Sequence, residues 1–137
     1  MVELESRSPA ETERIAAELA RELAVGDVVT VAGTLGAGKT TFVRGACRAL
    51  GVTSPVSSPT YAIGNRYRGR HDVSHLDLYR FESVSENDWA DLEAYFDGAI
   101  VFVEWPEAAA PFLPPPRARV RLRLLDPTHR LVEVERT

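Results

Sequence analysis

A chain of 137 residues, 45% apolar and 26% charged, is long enough to bury a core as one globular domain, residues 1–137, and too short to add a separate substrate domain. The net charge of −4 argues against a globally basic nucleic-acid binder, and with no apolar run near about eighteen residues and an acidic start, neither a spanning helix nor a secretory signal is expected. A single cysteine, Cys47, cannot close an internal disulfide, which agrees with a reducing, cytoplasmic setting and assigns Cys47 to helix packing.

Ser8-Pro9-Ala10-Glu11 predicts a helix start, with Ser as N-cap, Pro at the first helical position and Glu closing a capping box. Ile15, Leu19 and Leu23, flanked by Ala16 and Ala20, form its apolar face, and the helix is expected to end near Ala24-Val25-Gly26. Asp27 to Ala32 is a short β-branched strand. A helix follows over Thr41 to Leu50, with Phe42, Val43, Ala46 and Leu50 on one face and Gly51 ending it.

Between that strand and that helix lies Gly33-Thr34-Leu35-Gly36-Ala37-Gly38-Lys39-Thr40-Thr41, which satisfies the phosphate-binding pattern G-x-x-x-x-G-K-[ST]. Lys39 is the only lysine, and the other fifteen of the sixteen basic residues are arginine. A slim ammonium fits between phosphate oxygens where a planar guanidinium does not. Gly33, Leu35, Gly36, Ala37, Gly38, Lys39, Thr40 and Thr41 are therefore the expected nucleotide-binding residues. Their main-chain N–H groups and the helix N-terminus cradle polyphosphate, Lys39 reaches the β- and γ-phosphates, and Thr40 offers its hydroxyl to Mg2+.

Thr53 to Thr60, with two prolines, cannot continue the helix and reads as an irregular loop. Its hydroxyls Ser57, Ser58 and Thr60 are candidate γ-phosphate sensors. Tyr61 to Tyr67 and Asp72 to Tyr79 predict two strands joined by Arg68-Gly69-Arg70-His71. Ser85 begins a short helix that turns Trp89, Leu92, Tyr95 and Phe96 inward. Ala99 to Val103 is continuously apolar, as in a strand covered on both faces of a parallel sheet. After Pro111 to Pro116, Arg117–Leu125 and Leu131–Arg136 alternate as a β-hairpin, with Arg117, Arg119, Arg121 and Arg123 on one face opposite Glu133 and Glu135. The whole predicts an α/β three-layer sandwich around a largely parallel central sheet, with antiparallel additions and a C-terminal β-hairpin.

Hydrolysis or transfer also needs acidic groups near the metal and the attacking oxygen. Glu104 ends the apolar strand, where ligand sites of open α/β sheets lie, and is a candidate for holding Mg2+ and orienting water. Alternation puts His75, Asp77 and Tyr79 on one face of their strand, making Asp77 a second metal-side or γ-phosphate-side group and His75 a support of the strand rather than a catalyst. Lys39, Asp77 and Glu104 form the catalytic set, and Thr40 and Glu104 the metal set. Arg80 is the first candidate for a charge-stabilising arginine, with Arg66, Arg68 and Arg70 as alternatives. Trp105 is either core or a partly exposed aromatic that contacts the loop or a partner.

In order, GTLGAGKTTFVRGACRALG, SSPTYAI, HLDLYRF and IVFVEWPE resemble the TsaE family of bacterial tRNA threonylcarbamoyladenosine synthesis, over nearly the whole chain. The loop is generic to many NTPases; the ordered set with S-P-T, D-L-Y-R and E-W-P is specific. The resemblance implies a P-loop NTPase-like fold, ATP and Mg2+ as ligands, and a weak ATPase stimulated by the partners TsaB and TsaD. In that scheme TsaD modifies the adenosine beside the anticodon, and the ATPase supports turnover, reaches tRNA only through the complex and does not supply the activating ATP. Lys39, Thr40, Asp77, Glu104 and Trp105 match the family's motif positions, while Thr34 stands where Asp is common and Asp91 where Gly is common. Two other readings share the loop: a small-molecule kinase, for which this chain shows no lid insertion, and a nucleotide-dependent binding module that needs no hydrolysis.

Overall fold

The computed structural model describes residues 1–57 and 63–137. Seven strands form one sheet: β1 (Val2–Ser6), β2 (Val28–Gly33), β3 (Gly64–Arg68), β4 (Asp72–Asp77), β5 (Ala99–Glu104), β6 (Ala118–Asp126) and β7 (His129–Arg136), in the order β1-β7-β6-β2-β5-β4-β3. The four central strands β6, β2, β5 and β4 run parallel, and β1, β7 and β3 add antiparallel edges. Helices α1 (Pro9–Ala20) and α2 (Lys39–Ala49) cover one face. Helix α3 (Glu86–Leu92), a 3-10 turn at Glu93–Phe96 and another at Pro106–Ala109 cover the β4–β5 half of the other. The expected α/β sandwich is present, with a third layer that shields part of the sheet. Among the described residues no helix is long and apolar enough to cross a membrane.

Local chemistry explains most boundaries. Ser8 accepts from the Glu11 amide while Glu11 accepts from the Arg7 amide, and Pro9 opens α1. The helix stops at Ala20, before the expected Ala24, because Glu22 and Leu23 turn back onto Leu19 and Ala20 with tighter i−3 bonds and the Asp27 carboxylate takes the Ala24 amide. Ser85 and Asp88 form a reciprocal capping box at α3. All six residues of β5 are buried, as its continuous apolar run requires.

The structure adds one strand and shifts the bounds of others. The acidic start forms β1, an edge strand whose alternation of Val2 and Leu4 with Glu3 and Glu5 is short and mostly exposed, and which exists only because β7 pairs with it. Strand β4 ends at Asp77, not Tyr79, since the Asp77 carboxylate accepts the Tyr79 amide and pulls the chain into a turn. The described strand β3 begins at Gly64; Tyr61 lies outside the described residues. The hairpin forms as expected, closed by Pro127-Thr128 with Asp126 accepting from the Thr128 and His129 amides, and β6 also pairs in parallel with β2.

The arginine face of that hairpin forms a cross-strand charge ladder: Arg119 meets Glu135 at 3.1 Å and Arg123 meets Glu133 at 2.7 Å. Cys47 is buried in the helix-covered core, and burial pushes its thiol up to about 12, as expected for a packing residue rather than a nucleophile. Helices α1 and α2 approach so closely at Gly45 that an added Cβ would lie 2.4 Å from Glu13 Cα and its carbonyl oxygen. Gly45→Ala is expected to destabilise the fold by about 1–3 kcal/mol, read as a lower urea midpoint at unchanged slope.

Candidate functional site

The site begins where β2 runs out. Gly33, at φ 151°, sits beside Leu122 of β6, and a Cβ there would approach the Leu122 carbonyl oxygen to 2.5 Å. Gly36 (φ 82°) and Gly38 (φ 98°) hold left-handed backbone that a side chain disfavours. Gly38 is the N-cap of α2, and no side chain caps the helix. The first turn of a helix has no intrahelical acceptors for its amides, so an uncapped start with left-handed glycines before it makes an anion cradle. Leu35, 71% exposed, forms the tip of this loop, and Ala37 is fully buried beneath it.

Lys39 opens α2 and is only 5% exposed. Its ammonium donates to the carbonyl oxygens of Gly33 and Thr34, both at 2.9 Å, and lies 4.2 Å from the centroid of the Trp105 ring. Burial lowers its pKa, while Glu104, Asp77 and Glu107 oppose that shift. Folded onto its own loop, the lysine partly satisfies the donors it would present to phosphate.

The carboxylates arrive from neighbouring strands. Asp77 and Glu104 are register partners across the parallel β4–β5 pair, on the face covered by α2. Glu104 is 2% exposed and accepts from Thr40 Oγ1, at 3.1 Å to Oε2 and 3.4 Å to Oε1. Its Oε2 also lies 2.5 Å from His75 Nε2. Burial raises the Asp77 pKa; the Tyr79 amide opposes this, and Glu104 adds to it. Asp77 thus stands in the group without a direct bond to Lys39 or Thr40.

Beyond β5, Trp105 adopts φ 56° and ψ 53°, and among the described residues it is the one non-glycine residue with positive φ. Such strain is tolerated where surrounding contacts over-determine it. Here they are Lys39 on the ring and Tyr79 at 5.0 Å between centroids. Half-buried Trp105 combines the two expected roles, packing against the α3-side core and contacting Lys39 of the loop.

The arginine expectations fare differently. Arg80 is exposed in the turn after β4 and forms no hydrogen bond or ion pair among the described residues. Arg66 is engaged with Asp72 and the Ala94 and Asp97 carbonyls, and Arg70 with Ala49 at the end of α2. The arginine at the phosphate loop is Arg130 of β7, donating to Gly36 O at 3.4 Å and to Pro127 O at 3.3 Å. Sequence reading missed it because its 94-residue separation from Gly36 carries no local pattern. With Arg7, Thr12, Gly38, Thr41 and Thr128 it lines a cavity of about 220 Å3 that continues from the loop between α1 and the hairpin turn. Ser58 and Thr60 lie outside the described residues; the neighbouring Ser57 carbonyl accepts from Asn65 and Tyr67.

Comparison with known proteins shows the family. The family model described as "Threonylcarbamoyl adenosine biosynthesis protein TsaE" matches residues 6–132. The chain is 40% identical over 118 residues to the tRNA threonylcarbamoyladenosine biosynthesis protein TsaE of Bacillus subtilis, covering 85% of this chain and 73% of that protein. Against the Treponema pallidum protein of the same name it is 35% identical over 132 residues, 94% of this chain and 96% of the relative. The Synechocystis relative is 41% identical over 102 residues, 70% of this chain and 64% of that protein, so the match spans somewhat under two thirds of its length. A crystal structure of Bacillus subtilis YdiB superimposes with a TM-score of 0.80 at 32% identity, covering 96% of this chain and 82% of that one.

Trp105 offers a reporter for the lysine. In a Trp89→Phe background, ATP with Mg2+ is expected to change Trp105 emission as the ammonium leaves the ring for phosphate, and unchanged emission at saturating nucleotide would mean that Lys39 stays where it is.

Proposed function

Because this chain belongs to the TsaE family, we propose that it serves tRNA threonylcarbamoyladenosine biosynthesis as a magnesium-dependent ATPase, weak alone and stimulated by TsaB and TsaD. The observation that carries the reading is the bond from Thr40 to Glu104 at the uncapped start of α2, which joins a phosphate cradle to an acidic strand end.

The residues fit the ligands. The loop amides from Gly36 to Thr41 would hold the β- and γ-phosphates, with Lys39 moving from the Gly33 and Thr34 carbonyls to the phosphate oxygens. Thr40 and Glu104 would hold Mg2+, which when bound neutralises phosphate charge and polarises the bond to be broken. A magnesium ion would take much of its coordination from phosphate and water. Glu104 would orient the attacking water, and Asp77 would stand on its γ-phosphate side. The cavity beside Arg130 and Thr12 leads away from the loop and would take the nucleoside end. The site works where TsaB and TsaD act, with tRNA reached through them.

The test is ATP hydrolysis by the purified chain, alone and with a matched TsaB–TsaD pair, with and without Mg2+. Low activity that rises with the pair, requires magnesium and disappears in Lys39→Ala is expected; Glu104→Ala should lose turnover by about 100-fold or more while retaining nucleotide binding. Activity equal to that of Lys39→Ala under both conditions would remove hydrolysis, and normal tRNA modification supported by Glu104→Ala would make the protein a nucleotide-dependent binding module.

A further inference from the structure

We propose that His75 is a positioning residue for Glu104: its Nε2–H anchors one carboxylate oxygen so that the carboxylate is held toward Thr40 and the metal side of the phosphate loop. This deepens the ATPase reading and rests on it.

Three observations carry the inference. His75 is fully enclosed, at 0% exposure, on the α2-covered face of β4, and it crosses to β5 to place Nε2 2.5 Å from Glu104 Oε2. Its other ring nitrogen, Nδ1, is buried with no hydrogen-bond partner among the described residues. The Thr40 hydroxyl donates to that same oxygen, 3.1 Å from Oε2, and lies 3.4 Å from Oε1. A nitrogen and a carboxylate oxygen at that separation share a proton, and Nδ1 has no acceptor among the described residues, so the hydrogen bond the ring makes there is the one to the carboxylate.

The orphaned Nδ1 separates this role from packing. A buried polar atom without a partner is unfavourable, so an apolar side chain would fill the same space with less cost to folding. What the imidazole adds is a donor aimed across the strand pair. Glu104 has three side-chain torsions and sits near the Lys39 ammonium, whose charge draws it. The histidine fixes Oε2, which also accepts from Thr40, and leaves the acceptor capacity of Oε1 for metal-bound water or the attacking water. Asp77, two residues beyond His75 on the same face, is anchored by the Tyr79 amide instead and stays partly exposed.

The experiment compares wild type, His75→Gln and His75→Leu. Gln can present an amide N–H near the position of Nε2, whereas Leu fills space alone. With TsaB and TsaD present, His75→Leu is expected to lower kcat for ATP about 10- to 100-fold with little change in KM, and His75→Gln to recover most of the loss. In parallel, Mn2+ affinity is measured by electron paramagnetic resonance with a non-hydrolysable ATP analogue, and the same order is expected. Unchanged kcat and Mn2+ affinity in His75→Leu, or equal losses in both variants, would overturn the positioning role. If wild type hydrolyses no more ATP than Lys39→Ala, the ATPase reading fails, and the Mn2+ order alone decides the role of His75. Nitrogen NMR of the unsubstituted protein needs no variant to fold: a protonated Nε2 and bare Nδ1 on His75 support the proposal, and the opposite tautomer overturns it.

Discussion

The left-handed backbone of the loop between β2 and α2 is the constraint on which the rest of the site depends. Gly36 and Gly38 permit turns that put the uncapped start of α2 over the carboxyl ends of the parallel strands. Gly33 lets β2 end against the Leu122 carbonyl without a clash. From that placement Thr40 falls within hydrogen-bond reach of Glu104, and Glu104 within reach of His75, so loop, β5 and β4 are tied by one short polar chain. Parallel pairing in register then brings Asp77 alongside.

This arrangement is poised for a polyanion. Lys39 is drawn from water, its pKa lowered by burial, and Asp77 is drawn in the opposite sense, its pKa raised by burial. Two loop carbonyls and the Trp105 ring hold the ammonium, a contact of about 0.5–2 kcal/mol at the ring. Trp105 keeps a left-handed backbone to do so. Perturbed groups and strain converge within one part of the molecule, as expected at a site tuned for chemistry rather than for stability. The exposed Arg119–Glu135 pair on β6 and β7 is the contrast, since it sits in water and stabilises little.

Local signals made much of this legible in the sequence. The loop motif, the capping residues Ser8 and Ser85, the apolar run ending at Glu104 and the alternation that joins His75 with Asp77 each act over a few residues. Boundaries were lost where tertiary pairing decides them: β1 has too little apolar surface to announce itself, and β4 ends at an Asp77 turn. The arginine beside the loop was missed for the same reason. Arg80 is near Asp77 in sequence, whereas Arg130 reaches Gly36 only after β7 folds beside β6 and β1. His75 was legible only as a support of its strand; its contact with Glu104 was not, because nothing in either strand's own pattern sets the β4–β5 register.

The central claim is that the Gly33–Thr41 loop holds polyphosphate with Thr40 and Glu104 on the metal side. A crystal structure with ADP and Mg2+ tests it most directly. The account predicts the β-phosphate among the amides from Gly36 to Thr41, Lys39 Nζ moved off the Gly33 and Thr34 carbonyls onto it, and the metal beside Thr40 and Glu104. Nucleotide bound elsewhere, or Lys39 still on those carbonyls with the loop filled, would contradict it.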